Sequence, residues 1–456
     1  MTDPLARREA VTTFARPNQP QQPVTVRGRA LHAIRSKLFR DTGWTMVAEI
    51  AGMASQFVTL VLIGRAFDKA VFGQFAGAVA FMNVIAPFTT VGMGYILLQR
   101  IAGEDADPDL QAGRAWVTIT IGGLVGLVFV LATSWIFLPN LSVHVLVALG
   151  LGELVFSQIT YAGRYCAQAF DRPAIGARIV AFVWAVRLLA AILFLIVVPH
   201  PTLGGWAVFH MSASLIGAII MIVSLRRIFS LRPRISVARR NDIRQGLAYS
   251  LTIGAAYLKN DADKTLLVTF NKDEAAGLYS LAYRVITPLY VPVRALADST
   301  FARFFREANH APHETYALAR RTTAIGAGLT VLGGLAVVAA APLLPFILSD
   351  KWRPVVVVTQ WLAFVPCLVA MQMYAFNALM SLGRRTACLV INASATVLNI
   401  VLNLVLIPVH SWKGATAATI SAEAMSVVAL WWLLRREVTR NAPTREHLRS
   451  LAETRV

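Results

Sequence analysis

Ionisable side chains recur inside otherwise apolar stretches of this chain: Glu49, Glu153, Arg187, Lys259, Asp261, Asp263, Lys264, Arg284, Arg294, Asp298 and Glu423. In hydrocarbon each costs about 3 kcal/mol or more unless it faces a polar cavity or a partner, so the chemistry they suit is binding of ions and charged head groups. Bond-breaking chemistry has no comparable signal. No GxxxxGK[ST], HExxH or GxSxG pattern occurs, and Ile121-Gly122-Gly123-Leu124-Val125-Gly126 reads as close helix packing rather than a phosphate loop. Cys166, Cys367 and Cys388 form no CxxC or Cys/His cluster, which leaves neither a zinc site nor a disulfide framework. No metal or cofactor is expected, and the chain is not expected to be an enzyme.

Arg187 stands near the middle of its apolar segment, where snorkelling to an interface is hardest, and that segment contains no acid to pair with it. Arg284 lies about nine residues from the nearer end of its own segment, too deep for an interfacial anchor at ~1.5 Å per residue. With Lys264 and Lys259 they make a cationic set suited to phosphate, since the planar guanidinium donates two parallel hydrogen bonds. Tyr283 and Tyr290, with Tyr279, offer faces and hydroxyls to a sugar. Gln372 and Asn377 offer amides, and with Gln158, Tyr161 and Tyr374 they could line the cavity or bond between helices. Glu49, Glu153 and Asp261 are the candidates for ion coupling, with Glu423 a further carboxylate that could titrate. Part of this charge can be self-neutralising: Lys259 with Asp263 and Arg294 with Asp298 are four apart, and Asp261 with Lys264 three apart. Asn392, Asn399 and Asn403 form a stripe better explained by bonds between helices, and Trp431 and Trp432 by an interfacial belt.

The elements that must carry these groups follow from composition. The 456 residues are 56% hydrophobic and 15% charged, with a mean hydropathy of +0.59, outside the usual balance of a soluble protein. Apolar blocks lie at about 43–66, 74–99, 115–137, 142–165, 175–198, 203–225, 245–269, 275–301, 322–349, 354–381, 386–408 and 412–434, each long enough for a helix across the ~30 Å hydrocarbon layer. The predicted fold is therefore an all-α polytopic membrane protein, with about twelve transmembrane helices in two six-helix lobes around a central cavity. The lobes are expected at roughly 41–226 and 245–436, joined by a basic cytosolic linker at 227–244, with cytosolic tails at 1–40 and 437–456. The Pro-containing basic start, Met1 to Arg40, reads as disordered rather than as a cleaved signal.

Of the 43 Lys and Arg, about 32 fall on the side of the termini and about 6 on the other, which makes that side cytoplasmic. The formal net charge of +19 thus has a topological cause, and it argues for anionic lipid rather than nucleic acid as partner. Loops are short, so no soluble domain is available for chemistry, which weighs against sugar polymerases and ligases.

A turn of similar chemistry occurs twice. Phe67-Asp68-Lys69 precedes Phe72-Gly73-Gln74-Phe75 with Pro87 further on, and Phe270-Asn271-Lys272 precedes Gly277-Leu278-Tyr279 with Pro288 further on. About six helices separate the copies, so the halves are expected to be related by an axis along the membrane normal, with substrate bound between them.

These residues resemble the polysaccharide-biosynthesis (O-antigen-type) flippases of the multidrug/oligosaccharidyl-lipid/polysaccharide exporter superfamily. The resemblance covers roughly residues 41–436 and is carried by Phe72-Gly73-Gln74-Phe75-Ala76 running to Gly92-Met93-Gly94 and Gln99-Arg100, Asp263-Lys264-Thr265-Leu266-Leu267 followed by Ala276 to Arg284, Leu398 to Asn403 with Leu406-Ile407-Pro408, and Lys413 to Ala418. It implies movement of a lipid-linked oligosaccharide, on a polyprenyl diphosphate, from the cytoplasmic to the periplasmic leaflet of a bacterial inner membrane. Polysaccharide polymerase and export proteins are the partners it suggests. The family has no strict catalytic signature, so the site residues rest on the reading above. A multidrug or cation antiporter of the same superfamily would favour an acidic cavity, and a non-transporting scaffold of a glycan-synthesis complex would have no need of deep arginines.

Overall fold

The computed structural model describes residues 37–103, 107–310 and 312–440. Most of the expected N-terminal tail, and 441–456 of the C-terminal one, lie outside these. The described residues fold into helices: α1 (Lys37–Ala66), α2 (Lys69–Thr89), α3 (Met93–Ala102), α4 (Pro108–Phe137), α5 (Val143–Gly150), α6 (Ser157–Ala169), α7 (Pro173–Val197) and α8 (Leu203–Phe229) in the first half. The second half holds α9 (Arg240–Thr269), α10 (Asp273–Ile286), α11 (Tyr290–His310), α12 (Pro312–Ala340), α13 (Leu344–Leu348), α14 (Val355–Leu362), α15 (Val365–Ser381), α16 (Arg385–His410) and α17 (Trp412–Arg440).

Local chemistry explains the starts and breaks. The Asp68 carboxylate accepts from the Val71 amide at the start of α2, and Thr202 caps α8 through Gly205. Val91 and Gly92 are both left-handed, at φ 48° and 57°, and divide α2 from α3. A Cβ on Gly92 would also stand 2.4 Å from the Gly246 carbonyl of α9, so this corner needs glycine twice over. Between α5 and α6 the backbone runs through a π turn, Leu151–Phe156. Between α10 and α11, Pro288 sits in a short 3₁₀ turn.

Ten of the described helical stretches are long and apolar enough to cross a membrane, against the twelve read from sequence. The two that miss are α9 and the α10–α11 pair, the stretches that carry Lys259, Asp261, Asp263, Lys264, Arg284, Arg294 and Asp298. Their polarity fits helices that face a polar interior.

The helices pack as two lobes. In the first, α1 lies along α7, and α7 packs on α6 and α8; in the second, α15 packs on α12 and α17, and α16 on α17. The lobes meet where α2 runs along α9 and α10. They also meet toward the other end, where α3 packs on α9 through the Arg100–Asp242 ion pair at 2.7 Å and the stacked rings of Tyr95 and Tyr249, while α1 packs mainly on α7 and α11 on α12 and α15. The connection between lobes is docked rather than loose. Leu231 and Ala238 are buried, and the Arg232 and Arg234 amides donate to Asp109 at the start of α4, at 2.8 and 3.0 Å.

Candidate functional site

At the end of the molecule opposite the termini, the two repeated turns turn out to be the two sides of one contact. A Cβ on Gly73 would fall 1.8 Å from the Asp273 carbonyl oxygen, and one on Gly277 would fall 2.4 Å from the Lys69 carbonyl oxygen. The four-residue step from Lys69 to Gly73 is thus met by the step from Asp273 to Gly277, a two-fold arrangement. Around it Gln74 donates to the Asp273 carboxylate at 2.8 Å, Asn140 donates to Asn271 and Asp273 at 3.1 Å each, and Lys69 pairs with Glu274 at 2.9 Å. The second lobe returns the favour. Trp352 Nε1 donates to Gly64 O at 2.8 Å, and Lys351 Nζ to Arg65 O and Phe67 O at 2.8 and 2.7 Å. Burial makes the Lys351 ammonium easier to deprotonate than an ordinary lysine, with Asp68 opposing that shift.

Beyond this seam α2 and α3 stay against α9 as far as Gly246 and Asp242, and beside that contact exposed side chains stand on both lobes. Tyr161 of α6, Tyr257 of α9 and Arg284 of α10 are exposed, and Tyr161 lies within electrostatic range of both Arg284 and Tyr257. Among the described residues Arg284 has no ion-pair partner. Arg294 and Asp298 are also exposed, and no ion pair joins them.

The first-lobe wall holds a buried charged cluster. Glu153, in the π turn, takes His210 Nε2 of α8 at 2.6 Å and lies 3.5 Å from Arg187 of α7. Arg187 also donates to Ser157 and Ser214 at 2.6 and 2.9 Å, and its guanidinium lies 4.6 Å from the Trp184 ring centroid. The sequence reading gave Arg187 no acid because its own helix has none; the neighbouring helix supplies one. His210 was missed altogether, although one imidazole in the otherwise apolar body of α8 was a usable signal. Glu49 is partly exposed and pairs with Arg164 at 2.5 Å.

The second-lobe wall differs. Lys259 pairs with Glu423 of α17 at 2.8 Å, not with Asp263 as its spacing had suggested, because the two carboxylates belong to different faces of the packing. Lys264 pairs with Asp261 at 2.6 Å as expected, also donates to the Asn260 carbonyl, and sits 4.6 Å over the Tyr283 ring. Asp263 is fully buried and accepts from Tyr279 Oη at 2.8 Å. Tyr290 is half-buried within range of Glu423. Gln372 is half-buried and Asn377 buried on α15, which packs on α17, the helix of Glu423. Asn399 and Asn403 bond to each other along α16 rather than across helices. Trp432 is exposed beside Arg436, as an interfacial residue would be.

Two lobes of helices, ten stretches of which are long and apolar enough to cross a membrane, define a multi-pass membrane protein. One solved structure, the inward-facing conformation of a multidrug resistance MATE family transporter of the MOP superfamily, superposes with a TM-score of 0.71 at 13% identity, covering 86% of this chain and 96% of that one. The lipid II flippase MurJ in an inward closed conformation gives 0.69 at 10% identity, covering 86% and 87%. A MATE transporter of Vibrio cholerae gives 0.59 at 15% identity, covering 90% and 98%. No curated protein sequence shows significant similarity to the chain. The family described as polysaccharide biosynthesis protein matches residues 38–301, and the chain belongs to it.

Proposed function

We propose that this protein moves a lipid-linked oligosaccharide across a bacterial inner membrane, from the cytoplasmic to the periplasmic leaflet, with the termini cytoplasmic and the glycine seam periplasmic. The observation that carries the reading is Arg284, an exposed guanidinium in the gap between the lobes without an acid to neutralise it, in a chain of the polysaccharide biosynthesis family. A diphosphate stripped of water is far more costly to hold than a sugar hydroxyl, so the head group needs a wet cationic surface while the polyprenyl tail stays in lipid. Arg284 meets the diphosphate, with Arg187 as a second cation once it is released from Glu153. Lys264 and Lys259 set the charge of the opposite wall, and Tyr283, Tyr290, Gln372 and Asn377 are the sugar-facing candidates. Alternation follows from opening the seam at Gly73 and Gly277 while the lobes rock about the contact of α3 with α9.

An antiporter of cationic drugs needs acids free to receive a cation, whereas Asp261, Asp263 and Glu423 each already have a partner, and the exposed Asp298 stands four residues from Arg294, equally unpaired among the described residues. The test is transbilayer movement of a labelled polyprenyl-diphosphate oligosaccharide in proteoliposomes. Arg284→Ala should slow it by about tenfold or more, the loss of one charge-assisted contact of roughly 1.5–3 kcal/mol. Undiminished movement in that variant would overturn the role of Arg284, and movement of cationic dyes instead of the lipid would overturn the substrate class.

A further inference from the structure

Glu153, His210 and Arg187 are 7%, 6% and 7% exposed, and each comes from a different element. Glu153 is presented by the π turn, a backbone form that recurs at functional sites. Its extra residue is held open by side chains: Ser157 Oγ donates to the Gly152 carbonyl at 2.7 Å and Gln158 Nε2 to the Glu153 carbonyl at 3.0 Å. Arg187 is only partly satisfied. Its Nη2 serves Ser157, Ser214 and, more distantly, Glu153, while its buried Nε has no hydrogen-bond partner. The guanidinium lines a cleft with room for about one water, whose other wall includes Thr160 and the exposed Tyr161. Tyr161, on the wall of this cleft, lies within electrostatic range of Arg284 of the second lobe.

The geometry points to a proton-binding site: we propose that the Glu153–His210 pair takes up a proton, and that its occupancy decides whether Arg187 is held by Glu153 or released to a phosphate-type anion in the gap. The anion arm rests on the function proposed above; the proton site does not. The charge balance is simple. With His210 neutral, Arg187 and Glu153 cancel, and the carboxylate holds both neighbours. One added proton, shared along the 2.6 Å Glu153–His210 contact, leaves the cluster with one net positive charge in a setting closed by Phe75 and Trp206, whose rings lie 5.8 and 5.6 Å from the imidazole. That excess is relieved when Arg187 turns its unbonded edge to an anion, and an anion that engages Arg187 leaves Glu153 in need of a proton. Each therefore favours the other, and by linkage the effect is reciprocal.

Nothing else packed around the pair competes for this role. Of the elements against the π turn and α8, α7 brings Arg187, α6 brings Tyr161 and Arg164, and the latter is paired with Glu49 of α1. From α9, Tyr257 lies within range of Glu153. The ionisable residues of α2, α4 and α5, namely Lys69, Asp109, Arg114 and His144, all sit in the first two turns of their helices, and α2 offers His210 only the ring of Phe75.

Two measurements test this on the full-length protein in lipid nanodiscs. In the first, a polyprenyl diphosphate is titrated at pH 6 and pH 8. Wild type should bind about tenfold more tightly at pH 6, because protonation frees Arg187, and Glu153→Gln and His210→Gln should each lose that difference. A pH dependence that survives in both variants overturns the proposal. The second uses no ligand: Trp184 emission is followed from pH 8 to pH 5, with Trp184→Phe identifying its share. The emission should change as Arg187 leaves the ring, and Glu153→Gln should abolish the change. If wild type binds no polyprenyl diphosphate at either pH, the substrate reading fails and the second measurement alone decides the proton site. A flat Trp184 response in wild type then overturns it.

Discussion

The seam at the far end of the molecule and the charged walls of the gap are built on opposite terms. At the seam, backbone meets backbone: Gly73 on Asp273 O, Gly277 on Lys69 O, with no room for a side chain at either point. At the walls, side chains meet side chains across helices: Glu153 with His210 and Arg187, Lys259 with Glu423. Backbone contact of the first kind has two discrete states, closed or apart, since a tightly packed interface does not deform smoothly. Charge contact of the second kind is graded, because a partner can be exchanged for a proton or a substrate group. The movement proposed above needs one of each.

The sharpest way to break the comparison is to fill the seam. Gly73→Ala places a methyl where the Asp273 carbonyl now lies and Gly277→Ala does so against Lys69, so neither variant should close that end. Transport should fall to background, and a cysteine at Gln74 should become reactive to an impermeant thiol reagent added on the side of the seam. Gly328→Ala supplies the control. A Cβ there meets nothing within 4 Å, and helix propensity alone should make it more stable by up to about 1 kcal/mol. If Gly73→Ala closes and transports normally, the seam is not the gate.

This same contrast explains what the sequence made legible. The two turns could be seen because they are local: Phe72-Gly73-Gln74-Phe75 and Gly277-Leu278-Tyr279 are short, contiguous and repeated, but that they meet each other is a finding of the structure. Even the departure from twelve apolar spans was readable, since α9 and the α10–α11 pair fail on charges already noted as functional candidates. Partners at the walls could not be read. Spacing along one helix correctly joined Asp261 to Lys264, but Lys259 found Glu423 on a helix more than 150 positions later, and Arg187 found Glu153 on the preceding span. Sequence periodicity reports which face of a helix a residue occupies, not which helix that face will meet. The π turn was equally hidden, because its cause is the pair of side-chain bonds from Ser157 and Gln158 to its own carbonyls.

At the walls, the expected effects are next in size. Glu423→Gln leaves the partly buried Lys259 opposite a neutral group, and since removing one partner of a fully buried pair typically costs about 3–5 kcal/mol, the loss here should be about 2–3 kcal/mol. Thermal unfolding in detergent should register that loss. Lys259→Met combined with Glu423→Gln should recover most of it, since no charge is then left unpaired. If the double variant is as unstable as the single, Lys259 is not the partner that matters and the second wall is held by Asp261 and Asp263 instead.

The smallest effect is expected at the rim of the seam. Asn140 donates to Asn271 and Asp273 from the loop between α4 and α5, at 3.1 Å each, and the contacts are exposed. Water can replace an exposed bond of this kind, so Asn140→Ala should cost about 0.5–1 kcal/mol and shift the closed population by about fivefold at most. With the closed state well favoured, transport should change by less than twofold, and the cysteine at Gln74 should stay largely protected. The comparison with Gly73→Ala is then direct. A seam made by the approach of two backbones opens when a methyl is added and hardly notices the loss of a rim bond, whereas a seam made by its polar rim does the reverse. Should Asn140→Ala expose the Gln74 position as fully as Gly73→Ala does, the closure belongs to the side chains, and the glycines serve only to let them reach one another.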